Sequence, residues 1–388
     1  MKSASQRLQR LNTQFFASLE GKIAFMRSSG IDIIRLDIGS PDLPPAAHII
    51  EALWRSAQDP RSHGYQLHQG TRQLREAWAG MYERSYSISL DPDKEILPLL
   101  GSKEGIFHLT QAYVNPGDLI LVPDPAYLTY GMSVAFAGGE TYPLQLCPES
   151  DYLPDLRSIP SEVAQRARLL WINYPNNPTT AVASLDFFAD VVAFAKQNDI
   201  LVCHDSAYAQ VVYDGYRAPS ILQVPGAKEC AIEFNSLSKS HNLAGWRVGA
   251  VLGNPQVIQT LFKLKTQVDS GHFLPILDAA TAAMNGDQTW ICDRNETYRQ
   301  RRDFMIGCLH RNGLMAHIPR ASLYIWCPVP EGWASLDFAD ALLEQAHISV
   351  TPGTVFGQHG EGYVRLTLTN PLELITEAME RLVRWMSQ

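Results

Sequence analysis

Apolar positions along this chain repeat at two spacings, every second residue or every third to fourth, and the two alternate. Residues 4–29 place Leu8, Leu11, Phe15, Leu19 and Ile23 on one helical stripe. From about residue 70 helix and strand patterns take turns. TRQLREAWAGMYERSY predicts a helix, EILPLL a strand, and KEGIFHLTQAYV a helix stopped by the turn NPGD. The strand LILVP, the helix AYLTYGMSVAF and the strand ETYPLQL follow. RLLWINYP reads as a strand. SLDFFADVVAFAKQND reads as a helix with Ser184 as N-cap and Leu185, Phe188, Val192 and Ala195 turned inward. ILVCHD, AIEFNSLS and WRVGAVLG are three further apolar strands.

Such alternation predicts an α/β fold whose central sheet is mostly parallel, with helices on both faces and ligands beyond the carboxyl ends of the strands. After about residue 285 the order changes. DQTWICDRNETYRQRRDFMIGCLHRNG predicts one long helix. It is followed by the strands SLYIWCPV and YVRLTLT and the helices SLDFADALLEQA and LELITEAMERLVRWM, the mark of a smaller α+β domain. A chain of 388 residues suits two domains, or one large domain with an appendage.

Composition narrows the partners. With 46% hydrophobic and 19% charged residues the chain sits among ordinary globular proteins. Its net charge of −8 and scattered basic residues give nucleic acid or a membrane surface no cationic face. MKSASQRLQRLNTQFF has no uninterrupted apolar core, so no signal peptide is expected, and no run is long enough for a membrane span. The six cysteines are far apart and form no CxxC, which favours reduced thiols over a disulfide framework or a metal site.

Polar residues gather where strands end. In GSKEGIFHL, Ser102 and Lys103 open a helix, whose free N–H groups suit a phosphate; Ser102 serves equally well as an ordinary N-cap. ILVCHDSAYAQ ends a strand on Asp205, which must be paired there, either with loop amides or with a protonated ring nitrogen. NYPNNPTT places Asn173, Asn176 and Asn177 among prolines, where turn chemistry is explanation enough. Lys239, in SLSKSHNLAGWRVG, is harder to account for as a snorkelling side chain, because Ser236, Ser238, Ser240 and Arg247 surround it. A desolvated lysine has a lowered pKa and becomes a nucleophilic amine, and a nearby arginine can hold a phosphate. Lysine, carboxylate and phosphate cup together are what pyridoxal phosphate requires.

SLSKSHNLAGWRVG resembles the lysine motif of the class I/II aminotransferases of fold type I. So do LDIGSPDLPP, HGYQLHQGTRQLREA, GSKEGIFHL, DPAYLTY, NYPNNPT, HDSAYAQ and TPGTVFGQHGEGYVRLTLT, in family order over roughly residues 25–370. GSKEG, DSGHF and ASLYIWCPVP lean towards the branch that contains LL-diaminopimelate aminotransferases. The resemblance implies pyridoxal 5′-phosphate as cofactor and amino-group transfer between an amino acid and a 2-oxo acid of the LL-diaminopimelate, alanine or glutamate type. Lys239 is then the imine-forming lysine and Asp205 the partner of the ring nitrogen. Asn177 and Tyr208 bond the ring hydroxyl oxygen, and Tyr127 stacks on the ring. Backbone N–H groups of Ser102 and Lys103, with Ser236, Ser238 and Arg247, hold the phosphate. Tyr65 reaches the phosphate of the neighbouring subunit, which implies a homodimer. Arg365 clamps the substrate carboxylate, and Gly39 lines the same pocket beside Asn177.

The implied division is residues 1–40 packing with the small domain, 41–284 as the large cofactor-binding domain and 285–388 as the small domain. A cytoplasmic enzyme is expected. One departure stands out: the family reads NPTG where this chain has Thr180. A position needing φ > 0 disfavours threonine, so the turn is expected to differ there while Asn177 keeps its place. No second arginine for a dicarboxylate side chain is evident. Rival readings are a carbon–sulfur lyase or other non-transaminating enzyme on the same scaffold, and a ligand-sensing homologue without activity.

Overall fold

The computed structural model describes residues 3–9 and 14–388. Seven strands form the central sheet: β1 (Ile96–Leu99), β2 (Leu119–Asp124), β3 (Glu140–Gln145), β4 (Ala167–Asn173), β5 (Leu201–Asp205), β6 (Ala231–Ser236) and β7 (Gly249–Gly253). Their spatial order is β1-β7-β6-β5-β4-β2-β3, and only β7 runs against the rest. The middle strands β4 to β7 are covered on both faces, which is why their sequences are nearly continuous apolar runs rather than alternating ones.

This order has a switch point. From β2 the chain moves outward to β3, then returns to place β4 on the other side of β2 and continues β5, β6. A crevice therefore opens beyond the carboxyl ends of β2 and β4. Asn173, the last residue of β4, lies in register with Asp205, the last of β5. Ser236 ends β6 opposite Gly249, where the antiparallel β7 begins. Because β7 is reversed, the segment before it, carrying Arg247, emerges at the same edge.

A second core joins distant parts of the chain. Ile34 and Leu36 pack with Tyr298, Met305, Leu309, Tyr324, Ile348 and Leu382, among others. Ile34–Arg35 pairs in parallel with Ile348–Ser349. A three-stranded antiparallel sheet places Tyr363–Thr367 between Thr351–Pro352 and Tyr324–Pro328.

Several expectations change. The N-terminal stripe carries helices Gln6–Gln9 and Gln14–Ser28. Leu19 and Ile23 are buried, Leu8 is exposed, and Leu11 lies outside the described residues. Ser184 does cap Leu185–Asn198, accepting from Phe187 N at 3.1 Å, but Leu185 in the first turn is exposed, while Phe188, Val192 and Ala195 are buried. The helix in AYLTYGMSVAF starts only at Thr129, three residues late, because the approach from β2 is a prolyl loop. AIEFNSLS leaves the sheet at Ser236 and coils into the short helix Leu237–Ser240; WRVGAVLG joins it only at Gly249. Helices Ala47–Ala57, Pro255–Lys265 and Leu274–Asn285 were not foreseen. Among the described residues no helix is long and apolar enough to cross a membrane.

Candidate active site

A cleft of about 290 Å³ opens at the carboxyl edge of the sheet. Gly39, Ser102, Lys103, Tyr127, Asn177, Asp205, Tyr208, Ser236, Ser238, Lys239, Arg247 and Arg365 all line it. Residues drawn from eight segments of the sequence thus meet in one place. Tyr65 does not: it is 94% exposed and lies outside the cleft of its own chain.

Lys239 rides on the short helix Leu237–Ser240, whose N-cap Ser236 accepts from Ser238 N at 3.2 Å. The lysine is half-buried and donates through Nζ to Gly39 O at 2.5 Å. Burial lowers its pKa, and the Arg365 and Arg247 cations add to that against an opposing pull from Tyr324. A free amine is therefore more accessible here than on an ordinary lysine.

Asp205 is buried at the end of β5. Tyr130 Oη donates to its Oδ2 at 2.8 Å and Ala207 N to its Oδ1 at 3.2 Å. Burial holds its carboxyl above the usual range; those two bonds and the neighbouring His204 only partly offset this. Among the described residues no cation pairs with it. A carboxylate left in this state is stabilised by a positively charged N–H donor reaching it from the cleft.

Arg365 is also buried and also lacks an ionic partner among the described residues. It donates through Nη1 to Asn177 Oδ1 and through Nη2 to Asp37 O, each at 2.9 Å, while its Nε has no partner among the described residues. Its guanidinium lies over the Tyr324 ring at 4.2 Å and the Phe356 ring at 4.7 Å. A carboxylate entering the cleft would find a fixed, unneutralised fork. Gly39 is required for close approach: a Cβ there would fall 1.9 Å from Tyr324 Oη.

The anion cup is built from backbone as much as side chains. Gly101, at φ 82, is the N-cap of the helix Ser102–Tyr113 and contributes no side-chain cap, so among the described residues no cap takes up the first N–H groups. Ser102 is therefore not the cap that it resembled in the sequence. A Cβ on Gly101 would lie 2.3 Å from Arg247 Nη2, which is how closely the guanidinium follows the loop. Arg247 itself sits at φ 59, its Nη1 bound to Ala244 O at 2.7 Å. Serine hydroxyls, helix N–H groups and a guanidinium form a donor set made for a phosphate.

Thr180 corrects an expectation. Its φ is 63, so the turn keeps its left-handed residue and threonine accepts the strain. The loop is held by Asn176, whose side chain accepts from Thr179 N at 3.0 Å, and by Asn173, whose Oδ1 accepts from Asn177 N at 2.8 Å. Asn173, read as a turn residue, thus places Asn177 and also donates to Asp205 O at 2.7 Å.

Sequence reasoning missed Tyr130, Tyr324, Phe16 and Phe356. Tyr324 Oη lies 3.0 Å from Tyr208 Oη. Burial and the Tyr324 oxygen push Tyr208 up; burial also opposes ionisation of Tyr324, but Arg365 and Lys239 outweigh it and bring that phenol down. Tyr324 is thus the more acidic of the pair. The spacing AYLTY could have flagged Tyr130, which follows Tyr127 at helical distance; a single tyrosine within SLYIW carries no such signal.

These groups fit pyridoxal phosphate on their chemistry: an accessible amine, an under-compensated buried carboxylate, a phosphate cup and an unpaired carboxylate fork. Residues 31–382 match the family Aminotransferase class I and II. The chain is 47% identical to the LL-diaminopimelate aminotransferase of Moorella thermoacetica, over 98% of this chain and 97% of that one. It is 45% identical to the enzyme of the same name from Syntrophobacter fumaroxidans, over 97% of each. The solved structure of substrate-bound BacF from Bacillus subtilis superimposes with a TM-score of 0.95 at 36% identity, covering 99% and 98% of the two chains. The chain therefore belongs to the class I and II aminotransferases, enzymes that use pyridoxal phosphate to move an amino group between an amino acid and a 2-oxo acid.

Proposed function

We propose that this aminotransferase takes LL-diaminopimelate as its amino donor and passes the amino group to a 2-oxo acid. The names of the full-length relatives support that substrate, and the cleft accommodates its chemistry. The cleft continues into an apolar pocket of about 520 Å³ lined by Phe15, Phe16, Met132, Leu336 and Val355, with Lys103 and Tyr127 bordering both spaces. The donor's reacting carboxylate pairs with Arg365, its methylene chain runs along Phe16 and Leu128, and its distal carboxylate meets Lys103 at the mouth. That cation takes the part of the second arginine that the sequence lacks.

The single observation that carries the chemistry is the pairing of unmet needs across one cleft: Arg365 wants an anion and Asp205 a cation. Pyridoxal phosphate, when bound, supplies an electrophilic aldehyde and a ring that accepts electron density. Backbone N–H groups of Ser102 and Lys103, with Ser236, Ser238 and Arg247, would hold its phosphate, and Tyr127 would face its ring. Asn177 and Tyr208 would donate to its ring hydroxyl oxygen, and Asp205 would hold a proton on its ring nitrogen. Arg365 fixes the substrate carboxylate beside Gly39 and so orients the Cα–H bond. Lys239, whose amine rests on Gly39 O, would serve as the general base that takes up the substrate's Cα proton and gives it back.

Residues 1–40 and 285–388 act as one small domain against 41–284, a division supported by the shared core of Ile34, Leu36 and Tyr298. The enzyme works as a homodimer in the cytoplasm. Exposed Tyr65, Leu67, Val268 and Phe273 support the dimer, with the Phe273 ring 5.4 Å from His63. Tyr65 then completes the phosphate site of the partner. A panel of amino donors against 2-oxoglutarate, pyruvate and oxaloacetate tests the substrate. Turnover with LL-diaminopimelate well above alanine, aspartate and glutamate is expected. Activity with other donors and none with LL-diaminopimelate would remove this substrate while leaving the class intact.

A further inference from the structure

The long helix Thr289–Arg311 turns three buried polar residues, Arg294, Tyr298 and Arg301, to one face at helical spacing. Burying two guanidiniums on one stripe is costly unless their donors are used. Arg294 has no carboxylate partner among the described residues. Its fork goes instead to backbone oxygens: Nη1 donates to Lys239 O at 3.0 Å and to Ser240 O, and Nη2 to Gln210 O at 2.7 Å. These are carbonyls at the end of the short helix that carries Lys239 and in the loop after Tyr208. A cation at a helix C-terminus satisfies orphan carbonyls and opposes the dipole. Asn295 Oδ1 accepts from Arg294 Nη2 at 2.7 Å and holds the fork in plane.

One and two turns further on, the same face grips the other end of the lysine. Tyr298 Oη and Arg301 Nη1 donate to Asp42 Oδ1 at 3.2 and 2.9 Å. Asp42 lies three residues after Gly39, whose carbonyl receives Lys239 Nζ. A single rigid element therefore fixes both the main chain of Lys239 and the segment on which its amine rests.

From this we infer that Arg294 is a positioning residue for Lys239, and that the Arg294–Tyr298–Arg301 face sets where the amine points. The inference rests on Lys239 being the lysine that captures the cofactor. It predicts that loosening either grip slows reactions at the amine without weakening the phosphate cup. An amine displaced by about 1 Å loses on the order of tenfold to a hundredfold in rate.

The test uses the full chain stripped of cofactor and mixed with pyridoxal phosphate. Capture at Lys239 replaces the aldehyde oxygen by the amine nitrogen and releases one water. Borohydride added at timed intervals reduces the new C=N bond, and mass spectrometry counts the adduct. Arg294→Met should slow capture at least about tenfold, with the phosphate contribution to affinity held within about twofold. Arg294→Lys should fall between it and wild type, since an ammonium keeps the charge but cannot span two carbonyls. Asp42→Ala should slow capture from the other end, and it carries the test if Arg294→Met fails to fold. In the loaded enzyme kcat should drop while KM stays. Capture rates within twofold of wild type in well-folded Arg294→Met and Asp42→Ala would overturn this inference alone. Wild-type protein capturing nothing at Lys239 would overturn the functional reading with it.

Discussion

Arg365 Nη1 donates to Asn177 Oδ1 at 2.9 Å, which ties a strand near the chain's end to the loop beyond β4. On the proposed reading, the group assigned to the substrate carboxylate and the group assigned to the cofactor ring share one hydrogen bond across the cleft. Neither can be replaced without moving the other.

Replacing Arg365 with Lys should therefore act mainly on binding. An ammonium retains the charge but loses the planar fork and the seat between Tyr324 and Phe356. A loss of about 2–3 kcal/mol, or roughly 30–150-fold in apparent affinity for amino donors, is expected, with a smaller change in kcat. Steady-state KM values for donor and acceptor check this, and unchanged values would take Arg365 out of the pocket.

Asp205 should cost stability where it supplies function. Its folded pKa lies above the ordinary 3.8, chiefly through burial. As pH rises through that window the unfolded chain releases the proton first, so the cofactor-free fold loses stability. Asp205→Asn, still able to accept from Tyr130, should melt at or above wild type near neutral pH without cofactor, and the gap should close in acid. The same variant should be nearly inactive. Calorimetry of the stripped proteins against pH reads the sign directly.

Thr180→Gly should stabilise. Threonine at φ 63 is strained, and its buried hydroxyl has no partner among the described residues. Relief of about 1–3 kcal/mol, less about 0.5–1 kcal/mol for the freer unfolded glycine chain, leaves a net gain on the order of 1 kcal/mol. Denaturant unfolding measures it.

Tyr65 offers a test of the homodimer. Fully exposed on its own chain, it has no structural task there. Tyr65→Ala should keep the monomer fold yet loosen pyridoxal phosphate. Mixing it with Lys239→Ala should regenerate some fully wild-type sites in hybrid dimers. Sedimentation that finds only monomers at working concentrations would contradict the shared site.

Much of this site could be read in the sequence because the sheet delivers its chemistry at strand ends, where local motifs mark it. Asp205 and Ser236 are the last residues of their strands, and Lys239 follows within one helical turn. What could not be read was contributed by packing. Tyr324 sits within an apolar strand and looks like core until Gly39 is seen to clear room for its hydroxyl. Arg294 looks like one more charge on a long polar helix. Leu185 obeyed the helical period and still faces solvent, because a first-turn position need not meet the sheet. The amphipathic helix Ala47–Ala57 lies ahead of the alternating region and has no capping side chain to mark its start. Tyr65 stands exposed, and the place proposed for it lies on a second chain.

The central claim is that the Lys239 amine is the covalent anchor. Borohydride reduction of the protein with pyridoxal phosphate, followed by peptide mass spectrometry, tests it most directly. The account predicts one adduct per chain on the peptide containing Lys239, and none in Lys239→Ala. An adduct on another lysine, or no adduct from a well-folded protein saturated with cofactor, would contradict it.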